Sequence, residues 1–438
     1  MVKKKILSGL LAVALAFGTA AALPKGVFDT SLTVTAETSS TLQHVAAKSA
    51  TCTADGNIEY WIKGGKYYSN KDLTKQISRS STVVKATGHK FSAWTTTGYD
   101  FNNNTSTQVR KCSVCGNTEK QTTKKAISRL SGADSYETAA QISKAMYPNG
   151  TDTAIIVTRN GFNDALAAVP LAHAYNAPLL YSNDMNVTMA ELARLKVKKV
   201  IIVSTDGAVG SDVKAALSKY NPTVISGKDH SETAVNVAKA LQAKRNTAPD
   251  TIFFTNKNDY ADSLSVSPVA AIKNAPIIYL DKTGSIDTAS ANYLKSVKGK
   301  VKNAYIIGST EVISSYMMTN ASAALGLTGS KAIQRIAGCN SYDTCIAINS
   351  MFKSVLSSSG ICVAPSVDYA EAVVGAVGAA KYKRPLLLAD TKSLSGQNNL
   401  TSAQKSYLKD KNASKITVFG GKRAVSNERI KEIAKASV

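Results

Sequence analysis

Histidine is scarce in this sequence, with four in 438 residues. A hydrolytic zinc centre needs a cluster of histidines with an acid. Neither His-Glu-x-x-His nor Gly-x-Ser-x-Gly occurs, so the zinc-protease and serine-hydrolase patterns are both missing. His173 falls in a helix-patterned stretch and His230 in a loop. No Gly-x-x-x-x-Gly-Lys-Ser/Thr is present, which removes a nucleotide P-loop. Acidic residues are also short: 30 against 53 lysines and arginines, for a net charge of +23. A field of that sign favours an anionic partner, whether nucleic acid, anionic lipid or an acidic polymer.

Lys3, Lys4 and Lys5 precede an apolar run from Ile6 to Phe17, the order of a secretory signal. The run is too short to span a bilayer, and no later apolar stretch is longer. Small-x-small cleavage sites lie after Ala22 and after Ala36, and the second, in Val34-Thr35-Ala36-Glu37, is preferred. Residues 1–36 are therefore expected to be a signal peptide. The mature chain is expected to be secreted, with no membrane partner after cleavage and no nucleic acid partner. With 44% hydrophobic and 19% charged residues, it has the composition of a globular protein.

The chain is organised by a tract that occurs three times. It reads Arg129-Leu130-Ser131-Gly132-Ala133-Asp134-Ser135-Tyr136-Glu137-Thr138-Ala139, then Val224-Ile225-Ser226-Gly227-Lys228-Asp229-His230-Ser231-Glu232-Thr233-Ala234, then Arg335-Ile336-Ala337-Gly338-Cys339-Asn340-Ser341-Tyr342-Asp343-Thr344-Cys345. The spacing suits a small domain rather than a solenoid turn. Behind each tract, helical patterns alternate with apolar runs such as Thr153-Ala154-Ile155-Ile156-Val157 and Lys199-Val200-Ile201-Ile202-Val203. Apolar strands alternating with helices predict parallel sheets covered on both faces. The first repeat predicts helices over 137–146, 164–174, 189–195 and 211–220. The boundaries are 129–226, 227–334 and 335–438, behind a small β-rich module at 37–128 that contains Cys and His.

The copies keep chemistry as well as spacing. Asn163-Asp164-Ala165-Leu166 matches Ala261-Asp262-Ser263-Leu264 and Ala370-Glu371-Ala372-Val373. Glycine turns follow the third strand at Gly207, Gly308 and Gly420-Gly421. These motifs resemble the clostridial cell wall binding repeat type 2, which reads Arg-Ile-x-Gly-Ala-Asp-Arg-Tyr-Glu-Thr-Ala, Phe-x-Asp-Ala-Leu, Ala-Pro-Ile-Leu-Leu and Gly-Gly-x-x-x-Val. The resemblance covers 129–438. It implies three tandem open parallel-sheet (Rossmann- or flavodoxin-like) units around a pseudo-threefold axis. It also implies non-covalent attachment to an anionic cell-wall polysaccharide of Gram-positive bacteria. This chain departs from the pattern: the Arg before Tyr-Glu-Thr is Ser135, His230 and Ser341, Val224 replaces the opening Arg, and Phe162 becomes Tyr260 and Tyr369.

Several residues are candidates for polymer contact. In open parallel sheets, ligands sit beyond the carboxyl ends of the strands. Asp164, Asp262 and Glu371 fall there, either as sugar-hydroxyl acceptors or as first-turn acids that complement a helix dipole. The resemblance points to the second-strand tract: Pro178, Leu179, Leu180 and Tyr181, with Pro276, Ile277, Ile278 and Tyr279, and Pro385, Leu386, Leu387 and Leu388. The alternative is that these are core residues. Tyr181 and Tyr279 end their strands, where a ring can meet a sugar and its hydroxyl stay wet. Lysines precede the third strand in each copy (Lys196, Lys198, Lys199; Lys295, Lys298, Lys300, Lys302; Lys409, Lys411, Lys415), as an anion surface or a solvated face. Cys339, Cys345 and Cys362 read as small buried hydrophobes.

Gly88-His89 and Cys112-Ser113-Val114-Cys115 resemble half of a short Cys/His module of secreted Gram-positive proteins. The other half has lost its Cys-x-x-Cys to Trp61-Ile62-Lys63-Gly64-Gly65-Lys66, so neither half offers four zinc ligands alone. Three readings stand side by side: a zinc site on His89, Cys112 and Cys115, drawing also on His44 and Cys52; a Cys112–Cys115 disulfide; and a remnant of the module with neither. The expected function is wall anchoring without enzyme activity and with no other cofactor. A cell-wall hydrolase, or an adhesin working through 37–128, is the alternative. Surface-lattice proteins are candidate partners.

Overall fold

The computed structural model describes residues 41–437 apart from 101, 102, 104, 125, 330, 331, 358, 359, 368 and 392–397. The leader and both cleavage sites lie outside the described residues. The chain forms two compact units, divided after Lys90.

The first unit is β-rich. Strands β1 (Gln43–Val45), β3 (Tyr60–Lys63), β4 (Lys66–Tyr68) and β5 (Gln76–Ile77) form an antiparallel sheet in that order, and β2 (Gly56–Asn57) pairs with β6 (Val83–Val84). Gly64 and Gly65, both at positive φ, make the two-residue turn between β3 and β4. His44 stacks on Trp61, with ring centroids 5.0 Å apart, and its Nε2 bonds to Glu59 at 2.8 Å.

The second unit opens with an antiparallel meander of β7 (Thr95–Asp100), β8 (Thr105–Lys111) and β9 (Thr118–Lys124). These strands belong to the compact unit of the repeats. The sequence pattern had grouped them with the module at 37–128. The next strand is β10 (Ala126–Leu130). The first repeat then runs α1 (Ser135–Met146), β11 (Thr153–Val157), α2 (Phe162–Ala174), β12 (Leu179–Tyr181), α3 (Met185–Leu195), β13 (Lys199–Val203), α4 (Ser211–Ala216) and β14 (Thr223–Ile225). The second follows as α5 (His230–Arg245), β15 (Thr251–Asn256), α6 (Tyr260–Ile272), β16 (Ile277–Leu280), α7 (Thr288–Ser296), β17 (Asn303–Ile307), α8 (Ser315–Leu325) and β18 (Gln334–Ile336). The third has α9 (Ser341–Met351), β19 (Gly360–Ala364), α10 (Tyr369–Lys381), β20 (Leu386–Leu388), helix Ser402–Lys411, β21 (Lys415–Phe419) and helix Asn427–Ala436.

The predicted α/β class holds, with small differences at the ends. α3 starts at Met185 rather than 189 because the Asp184 carboxylate accepts the Val187 N–H at 3.1 Å and caps it there. The stretch 211–220 splits into α4 and a 3-10 turn at Ser218–Tyr220.

The sheets are β12-β11-β13-β14, β16-β15-β17-β18 and β10-β21-β19-β20, with every neighbouring pair parallel. The opening strand of each recurring tract therefore completes the sheet of the preceding repeat. β14 completes the first sheet and β18 the second, and β10 joins β21 in the third, with Arg129 opposite Val418. The three repeats thus close in a ring.

Helices α2, α6 and α10 pack on one another at the centre. They are apolar nearly all round and rich in Ala, Ser and Gly, which suits a helix buried on every side and lets the backbones approach closely. At their first residues Phe162, Tyr260 and Tyr369 form one aromatic cluster, with centroids 5.6, 5.6 and 5.9 Å apart. Pro268 lies inside α6 and has no N–H for the Leu264 carbonyl; the Ser267 hydroxyl donates to that carbonyl at 2.9 Å.

Ring closure makes a specific prediction. Deleting Ala126–Leu130 removes an edge strand from the third sheet although it lies beside the first repeat in sequence. Amide exchange should then accelerate over Lys415–Phe419 while Lys199–Val203 keeps its protection, measured by hydrogen exchange. Loss of protection in β13 before β21 would contradict the closure.

Candidate functional site

The recurring tract is a strand, a tight turn and a helix start. Gly132 and Gly338 donate their N–H to the hydroxyls of Thr138 and Thr344 at 2.9 and 3.0 Å. Thr233 occupies the same buried place and donates to the Asp229 carbonyl at 2.9 Å. Asp134, Asp229 and Asn340 are the N-caps. The Glu137 and Glu232 carboxylates reach back to the N–H groups of Ala133 and Lys228 at 2.9 and 3.1 Å. A Cβ on Gly132, Gly227 or Gly338 would run into the first turn of the helix. The motif is thus accounted for by local folding.

The opening arginines fasten the glycine turns at the carboxyl ends of the sheets. Arg335 donates to the carbonyls of Gly308, Ser309 and Ile313 at 2.7, 3.0 and 2.7 Å. Arg129 does the same for Gly420 and Val425, both at 2.7 Å. Val224, in the third equivalent place, is exposed. There the turn is held from the other side. Asp164 accepts the Thr205 N–H at 2.7 Å and the Thr205 hydroxyl at 3.0 Å, and contacts His230 Nδ1 at 2.8 Å.

Asp164, Asp262 and Glu371 are all buried. Each lies in the first turn of a central helix and faces a glycine turn. Glu371 accepts the Gly421 N–H and the Thr138 hydroxyl, both at 3.1 Å. Gly308 and Gly420 have positive φ, and a Cβ on either would strike the carboxylate of Asp262 or Glu371. Asp262 differs from its counterparts. Burial first, and then the neighbouring Asp259, push its carboxyl up to about 7.

The second-strand tract is core. Pro178 to Tyr181, Pro276 to Tyr279 and Pro385 to Leu388 are all buried. The Tyr279 hydroxyl donates to the Asn163 carbonyl at 2.7 Å, and the Tyr181 hydroxyl donates to the Ala370 carbonyl. The expectation of wet hydroxyls on sugar faces is therefore corrected: these rings join one repeat to the next. Leu388, with no hydroxyl, stands in the third place. Cys345 and Cys362 are buried, and burial pushes their thiols up to about 11 and about 12. Cys339 is exposed, which corrects its reading as a buried hydrophobe.

A groove of about 500 Å³ lies where the third repeat meets the first. Its walls are the start of α1 at Asp134, Ser135 and Tyr136, Arg159 beyond β11, and the turn with Lys422 and Arg423 beyond β21. Lys422 and Arg423 are exposed, and Arg159 Nε donates to the Ser135 hydroxyl at 2.8 Å. Three strands thus direct their carboxyl ends at a hollow whose cations, Arg159, Lys422 and Arg423, outnumber its carboxylates, Asp134 and Glu371, in the place where this kind of sheet binds ligands. The sequence had not singled out Arg159. The signal was its position one residue past Thr158, at a strand's carboxyl end.

The lysine runs precede the third strands and so lie at the opposite, amino ends. Lys198 pairs with Asp152 at 3.0 Å, Lys199 and Lys244 lie over the Tyr175 ring, and Lys300 and Lys302 line a hollow of about 750 Å³. Of the metal candidates, His89 is half-buried in the first unit, while Cys112 is buried and Cys115 exposed in the second.

The family profile described as cell wall binding domain 2 (CWB2) matches residues 129–214, 224–318 and 335–430. The chain belongs to this family. It is a secreted protein of the Gram-positive cell wall, and its repeats are wall-binding domains. The N-acetylmuramoyl-L-alanine amidase LytC of Bacillus subtilis (strain 168) is 34% identical over 307 residues, which are 69% of this chain and 57% of that protein. The amidase enhancer of the same strain is 26% identical over 304 residues, 68% of this chain and 39% of that one. The chain therefore spans little more than half of the first relative and less of the second, and the LytC match covers the binding region. Two solved structures from Clostridium difficile share the fold. Cwp6 has TM-score 0.65 and 24% identity, covering 87% of this chain and 57% of its own; Cwp8 has 0.62 and 19%, covering 93% and 81%.

Two predictions follow from the turn network. Arg335→Ala strands three carbonyls and should cost about 2 kcal/mol in denaturant melts, whereas Val224→Ala, at an exposed position, should cost under ~0.5 kcal/mol. Equal costs would overturn the assigned roles.

For Asp262, the carboxyl binds its proton more tightly folded than unfolded. Stability therefore falls as pH rises from about 4 towards about 7 and stays reduced above that. Asp262→Asn should raise the unfolding midpoint at pH 8, by on the order of 2 kcal/mol, and change little at pH 4. Thermal melts at both pH values check this. An equal gain at both would show that charge is not the cause.

Proposed function

We propose that the three repeats hold this chain non-covalently on an anionic polysaccharide of the wall, and that the groove at Arg159, Lys422 and Arg423 is one of the contacts. The observation that carries this reading is the basic hollow at the carboxyl ends of β10, β11 and β21, in a chain of net charge +23. Arginine and lysine at a solvated rim suit the repeated acidic groups of such a polymer. A polymer that touches several repeats gains from effective concentration, so weak single contacts give firm retention. The buried second-strand tract supports binding indirectly, by fixing how neighbouring repeats meet. Neighbouring surface-layer proteins are the proposed further partners.

The chain itself is proposed to be a binding protein rather than an enzyme. The amidase relative matches it over the binding repeats, and neither hydrolase motif occurs in the sequence. Protein-stripped walls should retain the full-length chain at moderate salt, and should release it once the anionic polysaccharide is chemically removed. Replacing Arg159, Lys422 and Arg423 together by Ala should weaken retention about tenfold, with the melting midpoint unchanged. A zymogram on the same walls should show no clearing at the size of this chain. Undiminished binding to bare peptidoglycan would refute the polymer anchor, and a clearing band would refute the non-enzyme reading.

A further inference from the structure

The hollow of about 750 Å³ at Lys300 and Lys302 adjoins a smaller one of about 190 Å³. The two share Gln242, Thr247, Ala248, Asp250 and Tyr293, so they form one cleft. It lies between the ends of α5 and α7, at the amino ends of β15, β16 and β17. Volumes of this order suit a small ligand. Five cations line the cleft, Lys239, Arg245, Lys273, Lys300 and Lys302, against one carboxylate, Asp250. Among the described residues none of the five is in an ion pair.

Cations at the carboxyl ends of helices complement the dipole and need no ligand. Two observations go beyond that. Tyr293, on the wall of both hollows, is 2% exposed, and its hydroxyl has no hydrogen-bond partner. Buried hydroxyls are nearly always paired. The side-chain amides of Gln242 and Asn274, both half-buried, also lack a partner among the described residues. The first repeat shows the same place with its polar groups answered. Thr188, Glu191, Leu192 and Leu195 are buried at the spacing of Ser290, Tyr293, Leu294 and Val297. Glu191, at the place of Tyr293, accepts from Arg194 at 2.8 and 2.7 Å, and Arg194 also donates to the Tyr147 carbonyl at 3.1 Å. The hollow there sets Lys144 and Arg194 against Glu137 and Glu191. Lys198 and Lys302 donate their N–H groups to the carbonyls of Asp152 and Asp250, so they are counterparts. Lys198 pairs with the Asp152 carboxylate at 3.0 Å, and Lys302 has no such pair.

We propose that this cleft in the second repeat binds a sugar unit bearing an acidic group, a phosphate or a carboxylate. The acidic group meets the cations, and the sugar hydroxyls meet Tyr293, Gln242 and Asn274. The cleft opens at the opposite ends of the strands from the groove at Arg159, Lys422 and Arg423, and it stands or falls independently of that groove.

Glucuronic acid and glucose phosphate are the probes, titrated by calorimetry into the full-length chain. At least one should bind at one per chain, and which one does so separates carboxylate from phosphate. Glucose and inorganic phosphate should bind about tenfold more weakly. Tyr293→Phe removes only the hydroxyl. It should weaken binding about tenfold, while the melting midpoint holds or rises because an unpaired buried group is gone. Lys300→Ala with Lys302→Ala should weaken binding as much, and Lys198→Ala should leave it unchanged. Replacing Arg159, Lys422 and Arg423 together by Ala should also leave it unchanged. Full binding by Tyr293→Phe, or no binding of either probe, would overturn the proposal. Inorganic phosphate binding as tightly as glucose phosphate would reduce the cleft to a patch of charge, and loss in the groove variant would move the binding there.

Discussion

The close packing of three small-residue helices on one axis constrains everything else in the repeat unit. α2, α6 and α10 leave no polar stripe, so each must be covered on all sides by the other two and by its own sheet. α10 also lies close to its own sheet, where a Cβ on Gly375 or Gly378 would strike the Phe419 ring of β21. The first residues of these helices meet as Phe162, Tyr260 and Tyr369, and the first-turn acids Asp164 and Glu371 accept hydrogen bonds from the turns they face. A central change thus reaches the sheet ends through a few side chains.

Ring closure follows from the same constraint. A parallel sheet needs its last strand, and each repeat takes it from the next tract in the chain. The third has no successor and takes β10 from the first. The groove at Arg159, Lys422 and Arg423 lies at this seam, built from residues far apart in sequence. The turn networks show how the copies drift without losing the fold. Where Val224 replaces an arginine, the acid-to-turn contact of Asp164 with Thr205 persists and His230, itself one of the departures from the family pattern, adds contacts to both.

Much of this was legible beforehand. Alternating apolar runs and helical patterns identified the strands and helices, because parallel strands buried on both faces leave an almost unbroken apolar record. The threonines of the tract do fall in equivalent buried places. The direction of the second-strand tyrosines was not legible. A tyrosine ending a strand can be wet or buried, and only the neighbouring helix, supplying the Ala370 and Asn163 carbonyls, decides which. The paired acids were equally ambiguous until the glycine turns facing them were known.

The sequence by itself determined the repeat count, the fold class and the family, because each rests on local pattern: periodicity, caps and turn glycines recur wherever the tract recurs. Tertiary structure decided which sheet β10 joins and which cations share a groove. These depend on contacts between residues distant in sequence, and spacing along the chain does not encode them. A strand records in its sequence that it will be buried, but its partner is chosen by the packing of the whole ring.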